Sequence, residues 1–267
     1  MAKITFGTAG FFYKDWFGSF YPKQLEKSQL LRHFSKFFNI VEINSTFYNL
    51  PSIEMVTNWY NRVPDKFRFI IKIWQKITHE LNENELDNRI QEFFSRLIPL
   101  KEKLFGILLQ FPPWFKFTEK HLDQLIFLIK NLPSQYKYII ELRDNSWFNT
   151  DATLNMIDGK KLILGTTYMP NVKSYYMQNQ NYYYIRLIGD RILTEFNRIQ
   201  RSQKESYENL FKNLRNIIKD QNVYEIFIIV NNHFQGNAPE SIKLIKQKLG
   251  LSYHNFNNQK NIFDFIQ

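Results

Sequence analysis

Apolar positions along this chain gather in short, nearly unbroken runs rather than in alternating stretches. The runs are 4–10 (ITFGTAG), 40–46 (IVEINST), 67–74 (FRFIIKIW), 104–111 (LFGILLQF), 137–144 (KYIIELRD), 161–167 (KLILGTT), 182–189 (YYYIRLIG) and 225–232 (EIFIIVNN). Such runs, rich in β-branched and aromatic residues, suit parallel strands whose two faces are both covered. Between them the apolar period lengthens to that of a helix at 29–38, 53–61, 86–101, 119–131, 202–220 and 238–249. Thr118 stands where an N-cap is wanted before Glu119, and Pro239 sits where a first-turn proline is tolerated. Residues 145–160 leave room for only a short helix, and 168–181 (YMPNVKSYYMQNQN) read as an irregular crossover. The tail 252–267, rich in Asn and aromatics, is expected either to add a small helix over the fold or to stay mobile.

Eight strands, most of them followed by a loop and a helix, predict an α/β protein with a TIM-type (β/α)8 barrel and weak or missing helices after strands 5 and 6. The competing architecture is an open doubly wound sheet, but the first strand lacks the G-x-G-x-x-G loop of a dinucleotide fold. At 267 residues, with no Gly/Ser linker, low-complexity block or repeat, the whole of 1–267 reads as one barrel domain.

Composition narrows the chemistry. Aromatics make up 17% of the chain, so much of the core volume must come from large flat side chains. There is no Cys, which excludes disulfides, thiolate nucleophiles and Cys-based metal sites. The N-terminus (MAKITFGTAGFFYKDW) lacks the apolar stretch of a signal peptide, and no run reaches the ~18–20 apolar residues of a membrane span. A soluble, cytoplasmic protein without membrane association is therefore expected. The formal charge of +10 favours anionic partners, small molecules or nucleic acid, although Lys243, Lys246 and Lys248 read as an ordinary solvated helix face.

Strand alternation sorts the polar residues. Glu42 and Asn44 share a parity on the second strand, Lys72 and Trp74 on the third, and Glu141 and Arg143 on the fifth. Gln110 lies near the end of the fourth, Arg186 in the seventh, and Asn231 at the end of the eighth, followed by Asn232 and His233. Each lies toward its strand's C-terminal end, where barrel enzymes place their chemistry. Glu42 and Glu141 set against Lys72, Arg143 and Arg186 leave one surplus positive charge, which an anionic ligand would complete. The bland alternative is a packed layer of ion pairs. The loops add Tyr13, Asp15, Trp16 and Tyr21 after the first strand, and Thr46 and Tyr48 after the second. His79, after the third, is a candidate general acid or base. Desolvation beside other cations would also fit Lys72 for imine formation, which a salt bridge to Glu42 or Glu141 would oppose. No H-E-x-x-H, G-x-S-x-G or P-loop motif occurs; no metal ligands are assigned, a metal would have to be held by scattered Glu, His and Asn, and the cofactor is left open.

The ordered strings GTAGFFYKDWFGSFYP, FNIVEINSTFYNLPS, FRFIIKIWQKITHE, LLQFPPWF, ELRDNSW, YYIRLIG and IIVNNHFQGNAPES closely resemble the domain-of-unknown-function 72, or YecE-like, family over roughly residues 4–250. The resemblance implies a TIM-type barrel and no assigned reaction. It places the family's recurrent polar positions on Glu42, Asn44, Ser45, Thr46, Tyr48, Lys72, His79, Glu80, Gln110, Glu141, Arg143, Trp147, Arg186, Asn231 and Asn232. Departures are Phe11 for a usual Trp, Asp144 and Asn145 in the fifth-strand motif, and Ile188 for a usual His.

Together these readings favour an enzyme of hydrolytic or phosphoester chemistry acting on an anionic small molecule or nucleotide-like substrate. Arg143, Arg186 and Lys72 would hold the anion, Glu141 or Glu42 would act as general base, and His79 is a further catalytic candidate. Asn44, Tyr48, Gln110, Trp147, Asn231, Asn232 and Tyr13 would line the pocket. The alternative is a non-catalytic module that binds nucleic acid or senses a ligand.

Overall fold

The computed structural model describes residues 2–256, with the side chain of Leu154 excepted. Eight parallel strands close on themselves in sequence order: β1 (Lys3–Ala9), β2 (Ile40–Ile43), β3 (Arg68–Lys72), β4 (Leu104–Gln110), β5 (Tyr138–Glu141), β6 (Leu162–Tyr168), β7 (Tyr182–Leu187) and β8 (Glu225–Val230). Closure is made by β1 pairing with β8 from Lys3↔Glu225 to Thr8↔Val230. The α-helices are α1 (Leu30–Phe34), α2 (Ile53–Asn61), α3 (Gln75–Thr78), α4 (Leu86–Leu97), α5 (Glu119–Asn131), α6 (Asp151–Met156), α7 (Lys204–Ile217), α8 (Asn232–Gln235) and α9 (Ala238–Lys248).

Local chemistry explains where several helices start. Ser52 Oγ accepts from Met55 N at 3.1 Å to begin α2, and Thr118 Oγ1 accepts from His121 N at 3.1 Å to begin α5. Asn237 Oδ1 accepts from Glu240 N at 3.0 Å to begin α9, with Pro239 in the first turn. The helix expected over 86–101 ends at Leu97, because Pro99 follows and the chain continues as 3-10 turns over Ile98–Lys103. Between β5 and β6 the only helices are the 3-10 turn Asn145–Asn149 and the short α6; from β6 to β7 the chain crosses without a helix. Of the tail, only residues up to 256 are described, so the expectation for 257–267 lies outside the described residues.

The barrel interior has three levels. At the N-terminal end Arg68 donates Nη1 to Glu225 Oε2 at 2.7 Å and Nη2 to Oε1 at 2.6 Å, and its guanidinium lies 4.9 Å from the Phe227 ring. This bidentate pair plugs the bottom. Above it Ile40, Ile70, Leu108, Ile139, Ile163, Phe227 and Ile229 form a dry apolar layer. The polar side chains expected at the strand C-termini stand on top of that layer. Outside, a second and larger apolar shell fills the space between strands and helices. No helix among the described residues is long and apolar enough to cross a membrane.

Candidate active site

β2, β5 and β7 each carry one member of a buried ion network at the C-terminal end of the barrel. Arg186 donates Nε to Glu42 Oε2 at 2.7 Å and Nη2 to Glu42 Oε1 at 2.6 Å, and its Nη1 bonds Glu141 Oε2. Arg143 donates Nε to Glu141 Oε1 at 2.6 Å. Glu42 also accepts from Tyr184 Oη at 2.6 Å and from Asn44 Nδ2 at 2.8 Å. Glu42 and Glu141 are fully buried and Arg186 keeps 3% of its surface, so this triad is sealed. Burial tends to raise the Glu141 pKa, but the charges of Arg143 and Arg186 overcome it and hold the carboxyl at about 2. Burial likewise disfavours the charged form of Arg186, and Glu141 and Glu42 reverse the effect and raise its pKa.

Lys72 and Arg143 lie at the edge of this network, 7% and 8% exposed. The terminal nitrogens of Arg143 have no hydrogen-bond partner among the described residues, so one edge of the guanidinium stays available. Lys72 forms no ion pair among the described residues. Its Nζ donates to the neutral Gln110 Oε1 at 2.6 Å and lies 3.6 Å from the centre of the Phe47 ring. Thr46, in the turn after β2, donates to the Lys72 carbonyl at 2.7 Å and fixes that strand end. Burial, then Arg186 and Arg143, lower the Lys72 pKa to about 7 against the opposing pull of Glu141 and Glu42.

His79 joins this edge. Its Nδ1 is 3.0 Å from Thr78 Oγ1, and its ring meets Phe47 edge-on at 4.9 Å. Burial, with Lys72 and Arg143 nearby, lowers its pKa to about 4, so it is neutral at neutral pH. His79 also lines a cavity of about 230 Å³ walled by Phe111, Trp114, Phe115 and His121. Two aromatics of this face remain open, Tyr48 at 61% and Trp114 at 57% exposure.

Homology agrees with this barrel. The model of the family described as "Protein of unknown function DUF72" matches residues 5–262. The chain belongs to that family. Among DUF72 relatives, the UPF0759 protein YunF of Bacillus subtilis is 24% identical over 261 residues, spanning 88% of this chain and 92% of the relative. The UPF0759 protein YecE of Escherichia coli is 32% identical over 128 residues, which is 47% of this chain and 46% of the relative. Two solved DUF72 structures share the fold. The Thermotoga maritima protein has a TM-score of 0.76 at 25% identity, covering 93% of this chain and 99% of that one. The Enterococcus faecalis protein has a TM-score of 0.75 at 23% identity, covering 97% and 99%.

The side chains singled out in the sequence take different places in the structure. Glu42, Asn44, Lys72, Gln110, Glu141, Arg143 and Arg186 converge as alternation requires, with His79 and Tyr48 on the same face. Trp147, Asn231 and Asn232 instead serve the scaffold. Trp147 is fully buried, donates to the Phe115 carbonyl at 2.6 Å and stacks on that ring at 5.3 Å. Asn231 caps α8, and Asn232 Oδ1 accepts from Trp16 Nε1 at 3.1 Å and Ala238 N at 2.9 Å. Tyr13 is half-buried, and its hydroxyl donates to the Ala9 carbonyl at 2.5 Å. Burial and the nearby Glu42 raise its pKa to about 12.

Roles also shift within the converging group. Arg186 commits its Nε and both terminal nitrogens to carboxylates, so of the three cations expected to hold an anion it is the one with no free donor edge. Glu141, doubly paired and held at about 2, is a poor proton acceptor. Ile188, where the family pattern favours His, is buried at 3%, so no imidazole stands there to move a proton. Sequence reasoning missed Tyr184, which shares the parity of Arg186, and Thr167, whose buried hydroxyl has no partner among the described residues and which pairs in register with Arg186. It also missed the Arg68–Glu225 plug, where the inward polar residues stand at strand starts rather than ends. Among the described residues no group of three or more His, Asp or Glu side chains has metal-holding geometry.

Proposed function

We propose that this DUF72 protein is an enzyme acting on an anionic small molecule held at the C-terminal mouth of its barrel. The observation that carries the reading is the edge of Arg143 that has no partner among the described residues, near the amine of Lys72, which forms no ion pair there, with the charges of Glu42 and Glu141 offset by Arg186 and Arg143 together. A phosphate or carboxylate accepts two parallel N–H bonds from such a guanidinium edge. Hydrolysis or phosphoester chemistry needs a proton acceptor, and the ion network withdraws both glutamates from that task. Lys72, with a pKa of about 7, is the group poised to exchange a proton near neutrality. Asn44 and Gln110 orient neighbouring groups through hydrogen bonds. Tyr48 and Trp114 offer exposed rings on the same face for the apolar part of a ligand.

The test is a thermal-shift screen of phosphorylated and carboxylate metabolites against wild type and Arg143→Ala. Wild type is expected to be stabilised by a subset of anions, and the variant to lose at least tenfold in affinity for them while its own unfolding stays cooperative. Equal stabilisation of the two proteins would remove the reading.

A further inference from the structure

Lys72 is a largely buried amine, 7% exposed, that has no carboxylate partner among the described residues. Both glutamates near it are bound by arginines, and among the described residues its one hydrogen-bond acceptor is the neutral Gln110 side chain. The Phe47 ring at 3.6 Å is an apolar floor beneath it. That ring favours the ammonium form by cation–π attraction, as do Glu141 and Glu42, while burial and the two guanidinium groups lower the pKa. An amine so placed keeps its lone pair available at neutral pH, and the bond to Gln110 directs one N–H and thereby the lone pair. Arg143, with an edge that has no partner among the described residues, lies close enough to perturb the same nitrogen.

We propose that Lys72 is the nucleophile of this site and forms an imine with a small anionic carbonyl compound, a 2-oxo acid or a phosphorylated aldehyde or ketone. The proposal rests on the reading of the mouth as an anion site and adds the substrate's second functional group. The Nζ lone pair attacks the carbonyl carbon, forming the C–N bond as the C=O π pair moves to oxygen. That oxygen takes a proton from the nitrogen to give a carbinolamine. The C–O bond then breaks, and the hydroxyl leaves as water with the second nitrogen proton, so that amine plus carbonyl becomes imine plus water. Protonation of the imine restores a cation at Nζ, which the substrate's anionic group on Arg143 balances. The iminium withdraws electrons from the adjacent carbon, and hydrolysis later returns the free amine.

The full-length protein, incubated with pyruvate, 2-oxoglutarate, dihydroxyacetone phosphate or glyceraldehyde 3-phosphate and then reduced with borohydride, reads this directly by intact mass and peptide mapping. A single adduct on the peptide containing Lys72 is expected, absent in Lys72→Met and at least tenfold slower in Arg143→Ala. The adduct rate should reach half its maximum near pH 7, the pKa of Lys72, whereas surface lysines require a far higher pH. The two oxo acids against the two phosphates separate the possible sources of the anionic group. If these anions raise the melting temperature but leave no adduct on Lys72, or label surface lysines equally, the imine is wrong and the anion site stands. If the probes neither stabilise nor label, both readings fall. A circular-dichroism spectrum of Lys72→Met matching wild type shows that a lost adduct is not lost folding.

Discussion

The environment that lowers the Lys72 pKa has a thermodynamic consequence independent of any substrate. An unfolded chain carries this amine with an ordinary pKa near 10.5, whereas the folded value is about 7. Between those values the unfolded state binds the additional proton, so stability rises with pH across that window; below about 7 the full penalty of a buried ammonium is present. Lys72→Met removes the penalty with little loss of volume. The variant is expected to be more stable than wild type at pH 6 by about 1–3 kcal/mol, roughly 2–4 °C in Tm per kcal/mol. The difference should shrink as pH approaches 10.5, and thermal melts at pH 6, 8 and 10 measure it. A variant less stable than wild type at pH 6 would show that Lys72 holds the barrel together rather than straining it. Much of this was legible in the chain, because a period of two forces Glu42 with Asn44 and Glu141 with Arg143 onto one face. Pairing was not legible: parity places Arg186 inward but does not say that Glu42 and Glu141 take its donors. Nor does it say that Lys72 is left with Gln110.

At the scale of elements, the strands were easier to read than what joins them. Continuous apolar runs mark strands covered on both sides, and each observed strand lies on its expected run to within a few residues. Helix ends were less visible. The helix expected over 29–38 is reduced to α1 with a 3-10 turn before it, since tertiary packing of Leu30, Leu31 and Phe34 decides how much of the pattern is helical. Gly189 shows how a loop is fixed where no apolar pattern exists. It has φ +77°, and a Cβ there would stand 2.2 Å from the His233 carbonyl oxygen, so the loop after β7 meets α8, which follows β8, backbone to backbone. Gly250 shares the positive φ, +66°, but has open space around its Cβ position. Gly189→Ala should therefore cost more than Gly250→Ala, by at least about 2 kcal/mol beyond the ~1 kcal/mol of left-handed backbone common to both. Denaturant unfolding of the two variants compares them; equal costs would mean that this contact yields without resistance.

For the whole molecule, two ion networks brace the barrel from inside at its opposite ends. Arg68 and Glu225 tie β3 to β8 at the bottom, while Glu42, Arg186, Glu141 and Arg143 tie β2, β7 and β5 across the top. The networks join strands that are not neighbours in the sheet, so they constrain the barrel's cross-section in a way that ladder hydrogen bonds between adjacent strands do not. The upper one also covers the apolar layer beneath it and has Lys72 and Arg143 at its edge. Its stability should carry an acid signature. Glu141 titrates at about 2 in the fold and near its ordinary 4.5 when unfolded, so its contribution is complete above 4.5 and is lost as pH falls toward 2. Glu141→Gln leaves Arg143 and Arg186 without that charge, and removing one partner of a buried pair typically costs about 3–5 kcal/mol. The variant is expected to be destabilised by that order at pH 7 and to show a shallower decline than wild type between pH 4.5 and 2, followed by urea unfolding at each pH. The apolar layer beneath and the Arg68–Glu225 plug are untouched, so the circular-dichroism spectrum at pH 7 should stay that of the wild-type barrel. A parallel acid decline in the two proteins would mean that Glu141 is not held ionised by its arginines, and the mouth would then retain a carboxylate free to compete with an anion for Arg143.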